Sequence, residues 1–182
     1  MGRLLYINGA PGVGKLTIAR ALAPNLKARV LDNHAVYNVG FALADFRSPA
    51  FYNAVRAVRA VAYDLILQAP ETETVILTAA DFIDSDWGRE NWQAVQQLAA
   101  DRRWPFYPIA LYCEPSEHRR RIVNEGRAGR GKLQDASAVN AMVDRPLAEG
   151  RGPHSLRLDI TDITAADAAS SISAWVHQPI GE

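Results

Sequence analysis

Residues 9–17 read Gly-Ala-Pro-Gly-Val-Gly-Lys-Leu-Thr, a spacing suited to holding phosphate. Gly9, Gly14 and Lys15 satisfy the pattern G-x-x-x-x-G-K-[ST], while Leu16 stands where that pattern has a hydroxyl. Glycines let successive backbone N–H groups turn inward around an anion without a Cβ in the way, and Lys15 adds a mobile positive charge. The flanks agree with this chemistry. Leu4-Leu5-Tyr6-Ile7 is a short apolar run suited to a buried strand, and Thr17 to Ala23 opens a helix whose positive end faces the same anion. Residues Gly9, Ala10, Pro11, Gly12, Val13, Gly14, Lys15, Leu16 and Thr17 are therefore the candidate nucleotide-phosphate site.

Further groups stand where a transferred phosphate would need them. Asp32 ends the second apolar run and is followed by Asn33 and His34. A carboxylate there can orient an acceptor hydroxyl and take its proton; the alternative is a helix cap. His34 can bond a substrate hydroxyl or sit in a first turn as a surface residue. Asp81, just past the third run, can hold magnesium through water, with turn capping as the alternative and Asp84 and Asp86 as competitors. Beyond the fourth run lie Arg119-Arg120-Arg121, then Glu125-Gly126-Arg127-Ala128-Gly129-Arg130-Gly131-Lys132. Glycines between cations read as a lid whose arginines close on phosphate oxygens, or as a solvated loop. The three consecutive arginines cannot all face inward on a helix that turns about 100° per residue; at most one or two of Arg119, Arg120 and Arg121 reach the nucleotide, with Arg119 as the candidate contact.

These groups must be positioned by strands and helices, and the apolar pattern alternates between the two. Strands are expected at 3–8, 28–32, 74–79, 106–113 and 155–160, each short and apolar as strands buried on both faces are. Pro108 inside the fourth requires a place where no N–H is needed. Helices are expected at 15–24, ending near Pro24, at 49–68, at 87–103 after the cap Asp86, and at 115–125. Two more follow at 135–144 after Asp135 and at 164–176, where Thr164 and Asp167 suit a capping box. Strand–helix alternation behind a phosphate loop implies a parallel sheet covered by helices on both faces, with ligands beyond the carboxyl ends of the strands.

The 182 residues suit one domain. Twenty acidic and twenty basic residues cancel, so there is no electrostatic case for nucleic acid as a partner. Only Lys15, Lys27 and Lys132 are lysines; the other cations are arginines, whose planar forks suit phosphate and carboxylate. The single Cys113 excludes an intramolecular disulfide and reads as a small buried hydrophobe. No apolar run reaches a membrane span, and the chain enters a strand almost at once, so we expect a cytoplasmic protein without a signal peptide.

Together these residues resemble the small-molecule and nucleotide kinases of the P-loop class: adenylate kinase, shikimate kinase and chloramphenicol phosphotransferase. The sequence is also similar to bacterial AAA-type ATP-binding proteins grouped with them. Gly9 to Thr17 resembles the adenylate-kinase loop, G-x-P-G-x-G-K-G-T, in which a non-hydroxyl residue also follows the lysine. Thr17 then corresponds to the family threonine at the α-phosphate, and with Asp81 it is the candidate magnesium contact. The resemblance implies a three-layer α/β/α fold with a five-stranded parallel sheet in the order 2-3-1-4-5, ATP and Mg2+ as cofactors, and a lid near 126–134. It matches Asp32 to the aspartate presented to the acceptor, and Arg127 and Arg130 to lid arginines. Arg145-Pro146-Leu147 resembles a substrate-binding R-x-P-L stretch, with the proline one position early. The acceptor region would span residues 33–70, where Arg47, Arg56 or Arg59 meets an anionic group or is simply solvated. Shikimate kinase has a second acid two residues after the first and a triple glycine after its third strand; this chain has His34 and Ala79-Ala80-Asp81, so shikimate is not the expected acceptor.

The expected activity is ATP-dependent phosphorylation of a small-molecule hydroxyl by a monomer or homodimer. Lys15, Asp32, Arg127, Arg130 and Arg145 are the candidate catalytic groups, and Asp32, His34 and Arg56 the candidate acceptor contacts. The alternatives are a nucleoside or nucleotide kinase and an ATP-binding regulatory protein without turnover. A polynucleotide 5′-hydroxyl kinase shares the loop but needs a more basic surface. The lack of an N-K-x-D guanine motif argues strongly against a GTP switch.

Overall fold

A computed structural model describes residues 2–123, 135–151 and 154–178. The glycine–arginine segment with Arg127, Arg130 and Lys132 lies outside them. Eleven elements follow in order: β1 (Arg3–Gly9), α1 (Lys15–Leu26), β2 (Ala28–Leu31), α2 (Asn33–Leu43), α3 (Pro49–Leu67), β3 (Thr74–Ala79), α4 (Asp86–Arg102), β4 (Phe106–Tyr112), α5 (Pro115–Ile122), β5 (Leu156–Asp159) and α6 (Ala165–Val176). All strand pairs are parallel, in the order β2-β3-β1-β4-β5. This is the expected three-layer fold.

Alternation along β1 sorts the core into two layers. Leu5 and Ile7 pack with Ile18, Leu22, Ala168 and Ile172, so α1 and α6 cover one face. Leu4 and Tyr6 pack with Ile66, Val95 and Leu98, so α3 and α4 cover the other. Each such side chain, fully buried, contributes about 1.5–3 kcal/mol. Among the described residues no helix is long and apolar enough to cross a membrane.

Four local expectations are corrected. First, α1 runs through Pro24 to Leu26: Leu26 is buried in the core, and the turn closes after it, where Lys27 (φ 51°) donates its N–H to Ala23 and Pro24 carbonyls. Burying a leucine there outweighs the single helical bond that proline removes. Second, a helix after Asp32, raised only as the alternative in which Asp32 caps it, is present as α2. Third, α4 is capped by Ser85, whose Oγ accepts the Gly88 N–H at 3.1 Å, and Asp86 is the first helical residue. Fourth, residues 135–144 contain only a 3₁₀ turn, Ala136–Val139. Asp135 Oδ1 accepts both the N–H and the hydroxyl of Ser137, which winds the chain tighter than an α-helix.

Pro108 sits in an interior strand without penalty. Leu4 N–H bonds to Pro105 O, so alternate residues of β4 serve β1 and Pro108 falls in the set facing β5. The β5 pairing begins only at Ile109.

Candidate active site

The phosphate loop follows β1 with two glycines in the left-handed region, Gly12 at φ 93° and Gly14 at φ 119°. A Cβ on Gly12 would lie 2.8 Å from Ile122 Cγ1, and one on Gly9 would lie 2.9 Å from Val13 Cγ1. Gly14 is the N-cap of α1 and has no side chain to spend on the first-turn N–H groups, and no acid stands in that turn. Those donors therefore remain available to an anion. Lys15 Nζ folds back onto the loop, donating to the carbonyls of Gly9 at 2.8 Å and Ala10 at 2.9 Å. The cradle fits a nucleotide phosphate. Thr17 is exposed on the first turn and Leu16 is half-buried.

α5 holds the loop from behind. His118 Nε2–H donates to Pro11 O at 2.7 Å, and Arg121 Nη1 donates to Val13 O at 3.1 Å. Arg121 Nη2 reaches Ile160 O at 2.6 Å and Thr161 O at 3.2 Å, tying the loop to the turn after β5. Glu117 aims the guanidinium through Nε at 2.6 Å. Of the three consecutive arginines, Arg121 is the one against the loop. Arg120 pairs with Glu117 on the surface, and Arg119 donates to Asn140 Oδ1 at 2.6 Å.

A polar pin fixes the strand ends. Asn8 is fully buried next to Gly9, and all its amide groups are used. Its Nδ2 donates to the Asp81 and Ala148 carbonyls, both at 2.8 Å, and its Oδ1 accepts from Gly9 and Asp81 N–H, both at 2.9 Å. The phosphate loop and the segment after β3 are thereby locked together.

Asp32 occupies the N-cap position of α2 without capping it. That task falls to Thr78 of β3, whose Oγ1 accepts Asn33 N–H at 3.0 Å while its hydroxyl donates to Asp32 Oδ1 at 2.8 Å. Among the described residues, Oδ2 of Asp32 receives no hydrogen bond, and the carboxylate faces a cavity. About 440 Å³ of empty space, partly open to solvent, is bounded there by Asp32, Thr78, Asp81, Asn91, Arg59, Tyr6, Tyr37 and Tyr63 with apolar neighbours. Lys15 lies near enough to this cavity to act electrostatically on Asp81.

Asp81 is buried in its floor. Tyr6 donates to Oδ2 at 2.6 Å and Asn91 Nδ2 to Oδ1 at 3.0 Å. Burial pushes its carboxyl up, opposed by those two hydrogen bonds. Burial likewise raises the Tyr6 phenol, with Asp81 beside it, and lifts Tyr63 to about 12. The amide oxygen of Asn91, Oδ1, accepts from Arg59, which also donates to Glu90 Oε1 at 2.7 Å. Arg56 holds the same Glu90 through two bonds, at 2.9 and 2.7 Å. Held by Arg56 first and Arg59 second against some desolvation, Glu90 is driven down to about 2.

The structure brings the loop, Asp32 and Asp81 to one end of the sheet. Arg59, not Arg56, lines the cavity, and neither is merely solvated. His34 stands in the first turn of α2, half-buried, with its ring 6.1 Å from that of Phe41. Arg145 forms a two-bond pair with Asp84, at 2.8 and 2.7 Å, and its guanidinium lies 4.0 Å over Phe82. Cys113 packs against the core but is half-buried, not fully buried as expected. Among the described residues no three His, Cys, Asp or Glu side chains cluster to hold a metal. Sequence reasoning missed Thr78, His118 and Asn91, and left open which of the three arginines meets the loop, the place Arg121 takes. The one available signal was Asn8, a polar residue in a strand otherwise buried on both faces.

The sequence pattern of the AAA domain family matches residues 5–139. The cytidylate kinase of Corynebacterium glutamicum is 34% identical over 138 residues, 74% of this chain and 60% of that protein; the match thus spans less than two thirds of the relative's length. Among solved structures, the Mycobacterium tuberculosis APS kinase CysC in complex with AMPPNP and APS aligns over 97% of this chain and 98% of its own, with 19% identity and a TM-score of 0.63. Shikimate kinase from Acinetobacter baumannii in complex with shikimate aligns over 96% of this chain and 92% of its own, with 17% identity and a TM-score of 0.55. These likenesses place the fold among the P-loop kinases.

Proposed function

The chain belongs to the AAA domain family, and from that premise we propose that it is an ATP-dependent phosphotransferase acting on a hydroxyl of a small molecule. The observation that carries this reading is Asp32, oriented by Thr78 on the wall of a cavity whose Asp81 feels the charge of Lys15. Bound ATP supplies the γ-phosphoryl group. The loop N–H groups and Lys15 hold its β- and γ-phosphates, with Thr17 at the first turn of α1. Asp32 accepts the hydrogen of the acceptor hydroxyl, orients its oxygen and takes the proton as the new bond forms. Arg127 and Arg130 neutralise the migrating charge, as arginines do where positioning and electrostatics supply most of the rate. Magnesium would be held through water by the carboxylates at the strand ends, Asp81 among them. Arg145 serves acceptor binding only by leaving Asp84, so its part is the weakest of the set. Arg119 and His34 would contribute at the edges of the nucleotide and acceptor sites.

A second reading, a nucleoside monophosphate as acceptor, is favoured by the likeness to a cytidylate kinase. The balanced charge of the chain supports a small molecule over nucleic acid as partner. ATP consumption against a panel of sugars, amino sugars, nucleosides, nucleoside monophosphates and hydroxy acids tests the activity, with Lys15→Ala as the blank. Stimulation by at least one acceptor is expected. If none raises ATP use above the blank, the kinase reading fails and nucleotide binding without turnover replaces it.

A further inference from the structure

We infer that the acceptor cavity selects against anions and takes a hydroxyl-rich molecule that is uncharged or carries an amine. The inference rests on reading this cavity as the acceptor site, and it separates the two acceptor classes left open above. A carboxylate or phosphate taken from water into a confined site needs spare positive charge at its destination. Among the described residues the only cation lining the cavity is Arg59. Both arms of its guanidinium are already engaged: Nη2 donates to Glu90 Oε1 at 2.7 Å, and Nη1 is held by Asn91 Oδ1. The side chain is only 15% exposed, so it has little freedom to turn towards a ligand. Arg56 cannot replace it, since both its bonds to Glu90 lie outside the lining and its side chain faces solvent.

The remaining charged groups repel an anion. Asp32 and Asp81 both line the cavity. Asn91 turns its amide so that Nδ2 serves Asp81 and Oδ1 serves Arg59, so these three are bonded to one another, and the phenol hydroxyls of Tyr37 and Tyr63 add neutral donors, not a second cation. What the walls do offer suits a polyol: carboxylate and hydroxyl acceptors for O–H or N–H groups, and the rings of Tyr37 and Tyr63 for a C–H face.

Matched pairs isolate the charge. With the full chain saturated with a non-hydrolysable ATP analogue, titration calorimetry compares glucose with glucuronate and cytidine with its 5′-monophosphate. In the wild type a neutral member binds about tenfold tighter or more than its anionic counterpart, equivalent to about 1.4 kcal/mol. Glu90→Gln releases Arg59 and shifts that ratio towards the anion by about tenfold. If circular dichroism shows Glu90→Gln unfolded, Asp81→Asn serves instead and shifts the ratio in the same direction. Tighter binding of the anionic members by the wild type, binding of no neutral member, or an unmoved ratio in the folded variant overturns the inference. Failure of the kinase reading looks different. A neutral preference without phosphate transfer leaves this inference standing and removes only the activity, whereas transfer confined to anionic acceptors does the reverse.

Discussion

Thr78 lies between Asp32 and the helix that Asp32 precedes, accepting the first N–H of α2 and donating its own hydrogen to the carboxylate. A residue on β3 thus does the capping that the residue at the N-cap position would ordinarily do, and Asp32 is left with one oxygen directed by the protein and one towards the cavity. Thr78→Val removes both bonds without changing shape. Loss of a cap costs about 1 kcal/mol of stability, measurable by urea denaturation. On the catalytic side we expect a fall in kcat with little change in KM for ATP, because Asp32 loses its orientation and the phosphate loop is untouched. An unchanged kcat would make Thr78 a cap alone.

Arg121 joins the phosphate loop to the turn after β5. Arg121→Met keeps the apolar stem and deletes the fork. We expect the dissociation constant for ATP to rise about tenfold, measured by fluorescence titration, with far-ultraviolet circular dichroism unchanged. Arg121→Lys should recover little, since an ammonium cannot reach Val13, Ile160 and Thr161 carbonyls together.

The Arg56–Glu90–Arg59 cluster sets a pH dependence. Glu90 is held down at about 2 by Arg56 and then Arg59, against an ordinary value of 4.5. A carboxylate depressed by folding stabilises the folded state fully above the unfolded value, and that stabilisation is lost as pH falls through the folded one. The cluster's contribution therefore declines between about pH 4.5 and pH 2. Thermal melts from pH 7 to pH 3 should show Glu90→Gln losing less stability on acidification than the wild type. Its partial exposure keeps the effect modest. Parallel curves for the two proteins would show that the pair is not felt.

Much of this fold is legible in the sequence because its strands are short apolar runs and its motif is local. Residues 3–9 and 74–79 are recognisable since burial on both faces leaves them little choice of side chain. By contrast, α2 is signalled only by Asp32 as a cap: Val36 and Gly40 face inward, but Val39, Phe41 and Leu43 are exposed, so its apolar residues trace no single stripe. Pro24 misleads because the burial of Leu26 two residues on overrides a local breaker. In the site, the loop and Asp32 are visible because backbone spacing and strand ends mark them. Thr78, Asn91 and the choice of Arg121 among its neighbours are not, since each acts through contacts 32 to 108 residues away in sequence, and no local pattern encodes such a meeting. Arg56 and Arg59 show the same limit: three residues apart on one helix, they share Glu90, yet only Arg59 lines the cavity.

The central claim is that Asp32 serves the acceptor hydroxyl and not the nucleotide. The direct measurement pairs ATP binding with single-turnover phosphate transfer to the best acceptor of the panel, in the wild type, Asp32→Asn and Lys15→Ala. Asn keeps the size and the bond from Thr78 but cannot take a proton at neutral pH. We expect Asp32→Asn to bind ATP within about twofold of the wild type while transfer falls to the Lys15→Ala level, a loss of about a hundredfold or more. Transfer retained in Asp32→Asn would contradict the account.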